Sequence, residues 1–105
     1  MKKVTELEFQ DAIAEGYTLV DFYADWCGPC KMLSPVLEQL DKEYENKVNI
    51  VKVDVDVEHG LARQFGVQSI PTLILFKDGK EIEKTMGFRP KPMFEQMFSS
   101  HGITK

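Results

Sequence analysis

The chain is poor in the residues that most often carry chemistry. It has two cysteines, Cys27 and Cys30, two histidines, His59 and His101, and one tryptophan, Trp26, in 105 residues. Two cysteines are too few for a disulfide-built scaffold. A basic excess is also missing: 13 lysines and arginines stand against 17 acids, for a net charge of −4. That argues against a general nucleic-acid surface, which needs a basic patch. No run approaches the roughly 18 consecutive apolar residues of a membrane span. Two lysines follow the first Met, but Glu6 and Glu8 interrupt any signal-peptide core. No glycine-rich dinucleotide fingerprint appears, so no bound cofactor is expected. Repeats, low-complexity tracts and like-charge tails are absent as well.

What remains is a globular balance, 43% hydrophobic and 29% charged, at a length that suits one domain over residues 1–105. A cytoplasmic protein is expected. Purely structural disulfides are rare in a reducing cytosol, so two closely spaced cysteines there point to redox chemistry or metal binding.

Apolar periodicity orders the chain. Thr5 and Glu8 fit a capping box before a helix over about 6–15, with Leu7, Phe9, Ala12 and Ile13 on its apolar face and Gly16 as its stop. A short first strand precedes it. Residues 18–24, "TLVDFYA", read as a strand buried on both faces. Residues 29–45 form the clearest helix, striped by Met32, Leu33, Val36, Leu37, Leu40 and Tyr44. Pro29 suits its first turn, and Pro35 is expected to kink it. A strand over 48–55 and a short helix over about 58–65 follow. Strands at 71–76 and 80–86 flank Asp78-Gly79, a strong hairpin signal. Met93, Phe94, Met97 and Phe98 stripe a last helix. The order β-α-β-α-β-α-β-β-α describes an α/β fold: parallel crossovers first, an antiparallel hairpin after, in a mixed central sheet with helices on both faces.

Both cysteines fall where the buried strand becomes a helix. Residues i and i+3 share a helical face with Cα atoms about 5 Å apart, inside the disulfide window, although an i, i+4 pair also fits. A helix N-terminus presents unpaired N–H groups and about half a positive charge, which stabilise a thiolate over a thiol. Cys27 stands nearer the helix start and is expected to be the exposed, attacking sulfur, with Cys30 its buried partner. Such a dithiol exchanges in two steps. Cys27 forms a mixed disulfide with a substrate, and Cys30 then attacks Cys27 and releases the reduced substrate. The competing readings are a structural pair or half of a zinc site. Zinc needs four ligands, or three and water, and His59 and His101 show no ligand spacing, so no metal site is expected.

Asp21 and Lys52 each put a charge inside an apolar strand. Either they reach solvent at a strand end, or they are buried and must be paired or neutralised.

The segments "VDFYADWCGPCKML" (20–33), "VKVDVD" (51–56), "GVQSIPTLILFKDG" (66–79) and Gly87 in "TMGF" resemble the thioredoxin family, in order and at family spacing over most of the chain. The resemblance implies a thioredoxin fold, a mixed five-stranded sheet flanked by four helices. It implies a protein-disulfide reductase without a bound cofactor, re-reduced by a thioredoxin reductase that draws on NADPH. Its partners would be that reductase and disulfide-containing proteins, met by a monomer that binds neither nucleic acid nor membrane. Gly28 and Pro29 would tune the redox poise. Oxidising and isomerising relatives usually carry histidine where Pro29 stands, so Pro29 points to reduction.

The resemblance also assigns further roles. Asp21 would lie beneath the cysteines and take the proton of Cys30, with Lys52 as its charge partner. The Ile70–Pro71 bond would be cis and face the cysteines, with the backbone before Pro71 pairing with an extended substrate. Trp26, Ile70, Pro71 and Gly87 would frame the substrate contact; plain core packing is the other reading of Trp26. A binding module that uses this surface and not its sulfurs is the alternative function. Two departures stand out. Tyr23 occupies a position where many members carry tryptophan. In "GFRPKP" (87–92), Phe88 is expected beside the substrate groove, where it would influence partner choice.

Overall fold

The computed structural model describes residues 1–105. Five strands and four helices follow the expected order: β1 (Lys2–Lys3), α1 (Glu6–Ile13), β2 (Tyr17–Tyr23), α2 (Gly28–Glu43), β3 (Val48–Asp54), α3 (His59–Gln64), β4 (Thr72–Lys77), β5 (Lys80–Met86) and α4 (Lys91–Ser100). The strands form one sheet in the order β1-β3-β2-β4-β5. β1 and β2 run parallel to β3, while β4 runs antiparallel to β2 and β5 antiparallel to β4. The sheet is therefore mixed, as the alternation followed by a hairpin requires.

β2 lies at the centre, and the strand alternation sorts its side chains between two cores. Leu19 joins Leu33, Leu37, Leu40, Phe94 and Phe98 on the α2/α4 side. Val20 and Phe22 join Phe9, Ile13, Leu61 and Phe76 on the α1/α3 side. Both faces are covered, which is why this strand is apolar without interruption except at Asp21. Asp21 shares the face of Leu19.

Local chemistry sets the ends of these elements. The backbone N–H of Thr5 donates to the Glu8 carboxylate at 3.0 Å, the return bond of a capping box. Asp78 and Gly79 both have positive φ, 50° and 84°, the geometry of a type I′ hairpin turn. α2 continues through Pro35, whose ring lies on the exposed side, so the proline costs one ladder bond without ending the helix. Glu43 of α2 pairs with Lys91 of α4 and, at 3.0 Å, with Lys105 in the segment that follows α4.

Several apolar residues depart from the expected stripes. Leu7 is 96% exposed, Met32 62% and Met93 50%. Met93 borders the buried stripe of its helix and Met32 lies beyond the edge of its own, while Leu7 projects from the side of α1 opposite Phe9, since a helix buries only the arc that meets the sheet. Phe88, next to Gly87, is half-buried and packs against the α2/α4 core.

Candidate active site

β2 delivers the chain to a small cluster at its C-terminal end, made of Tyr23, Ala24, Cys27 and Cys30 with Val55 and Ile70 packed against it. Cys27 is the N-cap of α2 and has extended backbone geometry; Gly28 and Pro29 open the helix. The Cys27 sulfur accepts the backbone N–H of Cys30 at 3.2 Å. A capping oxygen would take the same bond, so a sulfur here occupies the place where a helix stabilises negative charge. The two cysteines are joined as a disulfide with Cα atoms 5.2 Å apart.

One expectation is corrected. Cys27 is not the exposed member of the pair: it is 4% exposed and Cys30 6%. The N-cap sulfur is covered because a second segment folds over it. The Ile70–Pro71 bond is cis, and the Ile70 carbonyl oxygen lies 3.8 Å from the Cys27 sulfur. In the disulfide that sulfur has no proton to donate, so this is a contact that becomes a hydrogen-bond route only on reduction. The Pro71 carbonyl accepts the N–H of Gly87 at 2.8 Å, which brings Gly87 to the same rim. Trp26 is 69% exposed, and its indole N–H donates to Asp56 at 2.8 Å. It is a surface residue held in place, not a core residue.

Behind the sulfurs lies a cavity of about 210 Å³, lined by Asp21, Tyr23, Cys30 and Lys52 among others. Asp21 does not reach solvent at a strand end; it is 2% exposed. Burial pushes its carboxyl up to about 7, against an opposing pull from Lys52. Its Oδ1 has no hydrogen-bond partner. Lys52 is partly buried and is the β3 register partner of Asp21. Its ammonium sits over the Tyr23 ring, 4.2 Å from the centroid. A larger surface depression, about 560 Å³, lies by Glu15 and Asn49 near the opposite end of β2, away from this chemistry.

The structure thus brings Cys27, Cys30, Ile70, Pro71 and Gly87 to one rim, with Trp26, Gly28 and Pro29 exposed along α2's start and Asp21 and Lys52 behind. The histidines are elsewhere. His59 opens α3, and His101 caps α4 with Nε2 2.7 Å from Glu83. No group of three or more His, Cys, Asp or Glu side chains is arranged to hold a metal ion. Two contacts escaped sequence reasoning. Tyr23 under Lys52 was accessible from alternation, since Tyr23 shares the face of Asp21. The Asp56 acceptor for Trp26 left no signal, because it lies in a turn thirty residues along.

The model of the family described as Thioredoxin matches residues 1–100. The chain belongs to the thioredoxin family. Thioredoxin from Staphylococcus saprophyticus is 52% identical over 99 residues, covering 94% of this chain and 95% of its own. Thioredoxin from Staphylococcus aureus is 48% identical over the same coverage. Among solved structures, a mutant thioredoxin from Halobacterium salinarum superposes with a TM-score of 0.89 at 36% identity, over 99% of this chain and 92% of that one. The fold is the thioredoxin fold. Membership, together with the Cys27–Cys30 disulfide, makes the chain a dithiol–disulfide oxidoreductase in which the cysteine pair itself carries the electrons. It also implies a thioredoxin reductase and disulfide-bonded proteins as partner classes.

Proposed function

We propose that this chain is a general reductase of protein disulfides, working in the cytoplasm as a one-domain monomer on proteins rather than on nucleic acid or membranes. One observation carries the reading: the Cys27 sulfur occupies the N-cap of α2, accepting the Cys30 N–H, against the carbonyl that precedes cis-Pro71. The net charge of −4 fits protein rather than nucleic-acid partners.

In the reduced form the helix end favours the Cys27 thiolate. It attacks one sulfur of a substrate disulfide, forms the mixed disulfide and expels the other substrate sulfur as a thiolate. The free edge at Ile70 pairs with the extended substrate backbone, and Trp26, Pro71 and Gly87 bound the apolar contact. Cys30 then gives its proton to Asp21, directly or through water in the cavity. The Cys30 thiolate attacks Cys27, restoring the Cys27–Cys30 disulfide and releasing the second substrate thiolate. Two electrons pass to the substrate. Thioredoxin reductase returns them from NADPH. Lys52 moderates the charge on Asp21, and Gly28 and Pro29 set the poise of the pair.

Trapping tests this reading. Cys30→Ser is expected to accumulate mixed disulfides on Cys27, releasable by dithiothreitol, while Cys27→Ser traps none. Full reduction of a protein disulfide by a Cys27→Ser, Cys30→Ser double variant would overturn it, as would equal trapping by both single variants.

A further inference from the structure

Tyr23 ends β2, two residues past Asp21 and on the same face of the sheet. It is 4% exposed. Lys52 stands in register beside Asp21, and a lysine beside a buried carboxylate ordinarily closes an ion pair. Here it does not. Neither residue takes part in any ion pair of the structure, and Oδ1 of Asp21 is left without a partner. The ammonium instead lies over the Tyr23 ring at 4.2 Å. An aromatic face at that distance attracts an ammonium through its ring quadrupole, more strongly where water is excluded, and so competes for a lysine whose carboxylate neighbour is neutral part of the time.

We propose that Tyr23 is a positioning residue: its ring holds Lys52 off Asp21 and so keeps the carboxyl free to take up the Cys30 proton. The second half rests on the proton-acceptor role given to Asp21 above. An ammonium in direct contact lowers a carboxyl by about 1–3 units, which would leave Asp21 ionised, paired and a poor base at neutral pH. Held on the ring, Lys52 still pulls Asp21 down, but less than burial pushes it up. The carboxyl then titrates near the working pH, where a base both accepts and returns protons best.

The surroundings single out the ring. The charged or titratable groups around Tyr23 and Asp21 are Lys3 from β1, Asp25 after β2, Lys52 and Asp54 from β3, and Cys30 and Lys31 from α2. Only Lys52 acts on the Asp21 carboxyl; Lys3, Asp25 and Asp54 act on the Tyr23 hydroxyl. The cation that acts on that hydroxyl is Lys3, not Lys52, so the hydroxyl does not anchor Lys52.

The test is a carboxyl NMR titration of Asp21 in the oxidised protein, alongside the pH profile of turnover on a protein disulfide. Tyr23→Phe and Tyr23→Trp keep a ring and are expected to leave the Asp21 midpoint where it is. Tyr23→Leu removes the ring and is expected to lower the midpoint by about one unit or more. Adding Lys52→Met to Tyr23→Leu should raise it again, by more than Lys52→Met does in the parent. Tyr23→Met, also non-aromatic and closer in length, serves if the leucine variant does not fold. An unchanged midpoint in the non-aromatic variants overturns the proposal, as does a drop in Tyr23→Phe equal to that in Tyr23→Leu. A midpoint that moves while the turnover profile stays put supports the positioning of Lys52 and overturns the role of Asp21 as acceptor.

Discussion

The indole N–H of Trp26 donates to the carboxylate of Asp56 at 2.8 Å, joining the turn before α2 to the turn after β3. An exposed tryptophan beside the redox pair is thereby held in one orientation without being buried.

Asp56→Ala should release it. A hydrogen bond to a charged acceptor, discounted for exposure, is worth about 1 kcal/mol, so KM for a protein disulfide is expected to rise roughly fivefold with little change in kcat. Trp26 is the only tryptophan, so its fluorescence anisotropy reads the release directly and should fall. Unchanged anisotropy would show that the bond does not restrain the ring.

Asp21→Asn should stabilise the oxidised protein, and by an amount that depends on pH. The carboxyl titrates near 7 when folded against an ordinary 3.8. Between those values the unfolded chain has lost this proton and the folded chain keeps it. The stability associated with the group is therefore complete below about pH 4 and is lost as pH rises through 7. The asparagine variant is expected to gain roughly 2–4 kcal/mol over the parent at pH 8 and little at pH 4. Urea unfolding at both values checks it; a gain independent of pH would mean that the charge is not the cause. The same variant should slow release of substrate from the mixed disulfide.

Gly87→Ala should weaken both fold and binding. Gly87 has φ +81°, a conformation L-residues rarely adopt, and an added Cβ would lie 3.6 Å from the Arg89 guanidinium, an ordinary contact. The penalty is thus backbone strain, about 1–2 kcal/mol, readable by denaturant unfolding. Relief of that strain by shifting the backbone would disturb the N–H bond to the Pro71 carbonyl and raise KM.

Phe88→Ala should cost stability rather than change partner choice. The ring is half-buried against the α2/α4 core, so its loss is expected to remove about 1–3 kcal/mol, less than for a fully buried phenylalanine. Kinetics with the reductase should stay within twofold. A large reductase-specific change without lost stability would return Phe88 to the docking surface.

Much of this architecture was legible in the residues because it is local or periodic. The alternation around Leu19–Phe22, the Asp78-Gly79 turn, the Thr5–Glu8 box and the strand-to-helix junction at Cys27 each depend on neighbours within a few positions. The spacing of Cys27 and Cys30 permitted a bond, and their place at a helix start argued for exchange chemistry over a structural or zinc-binding pair. The residues also overstated some faces: Leu7, Met32 and Met93 fit a helical stripe, but the width of the buried arc depends on what the helix meets.

Tertiary structure decided the rest, because it concerns contacts between distant segments. The burial of Cys27 comes from Ile70, which lies forty-three positions away. Asp21 looked equally able to reach water or to be enclosed; only the packing of α2 over that face closes it off and raises its carboxyl. The resting place of Lys52 is likewise a competition between a carboxyl and an aromatic ring on one sheet face. Sequence determined that a redox pair would sit at the head of α2. The fold determined what covers that pair, which carboxyl is buried behind it and which way the nearest cation turns, since those depend on distance and desolvation rather than on order along the chain.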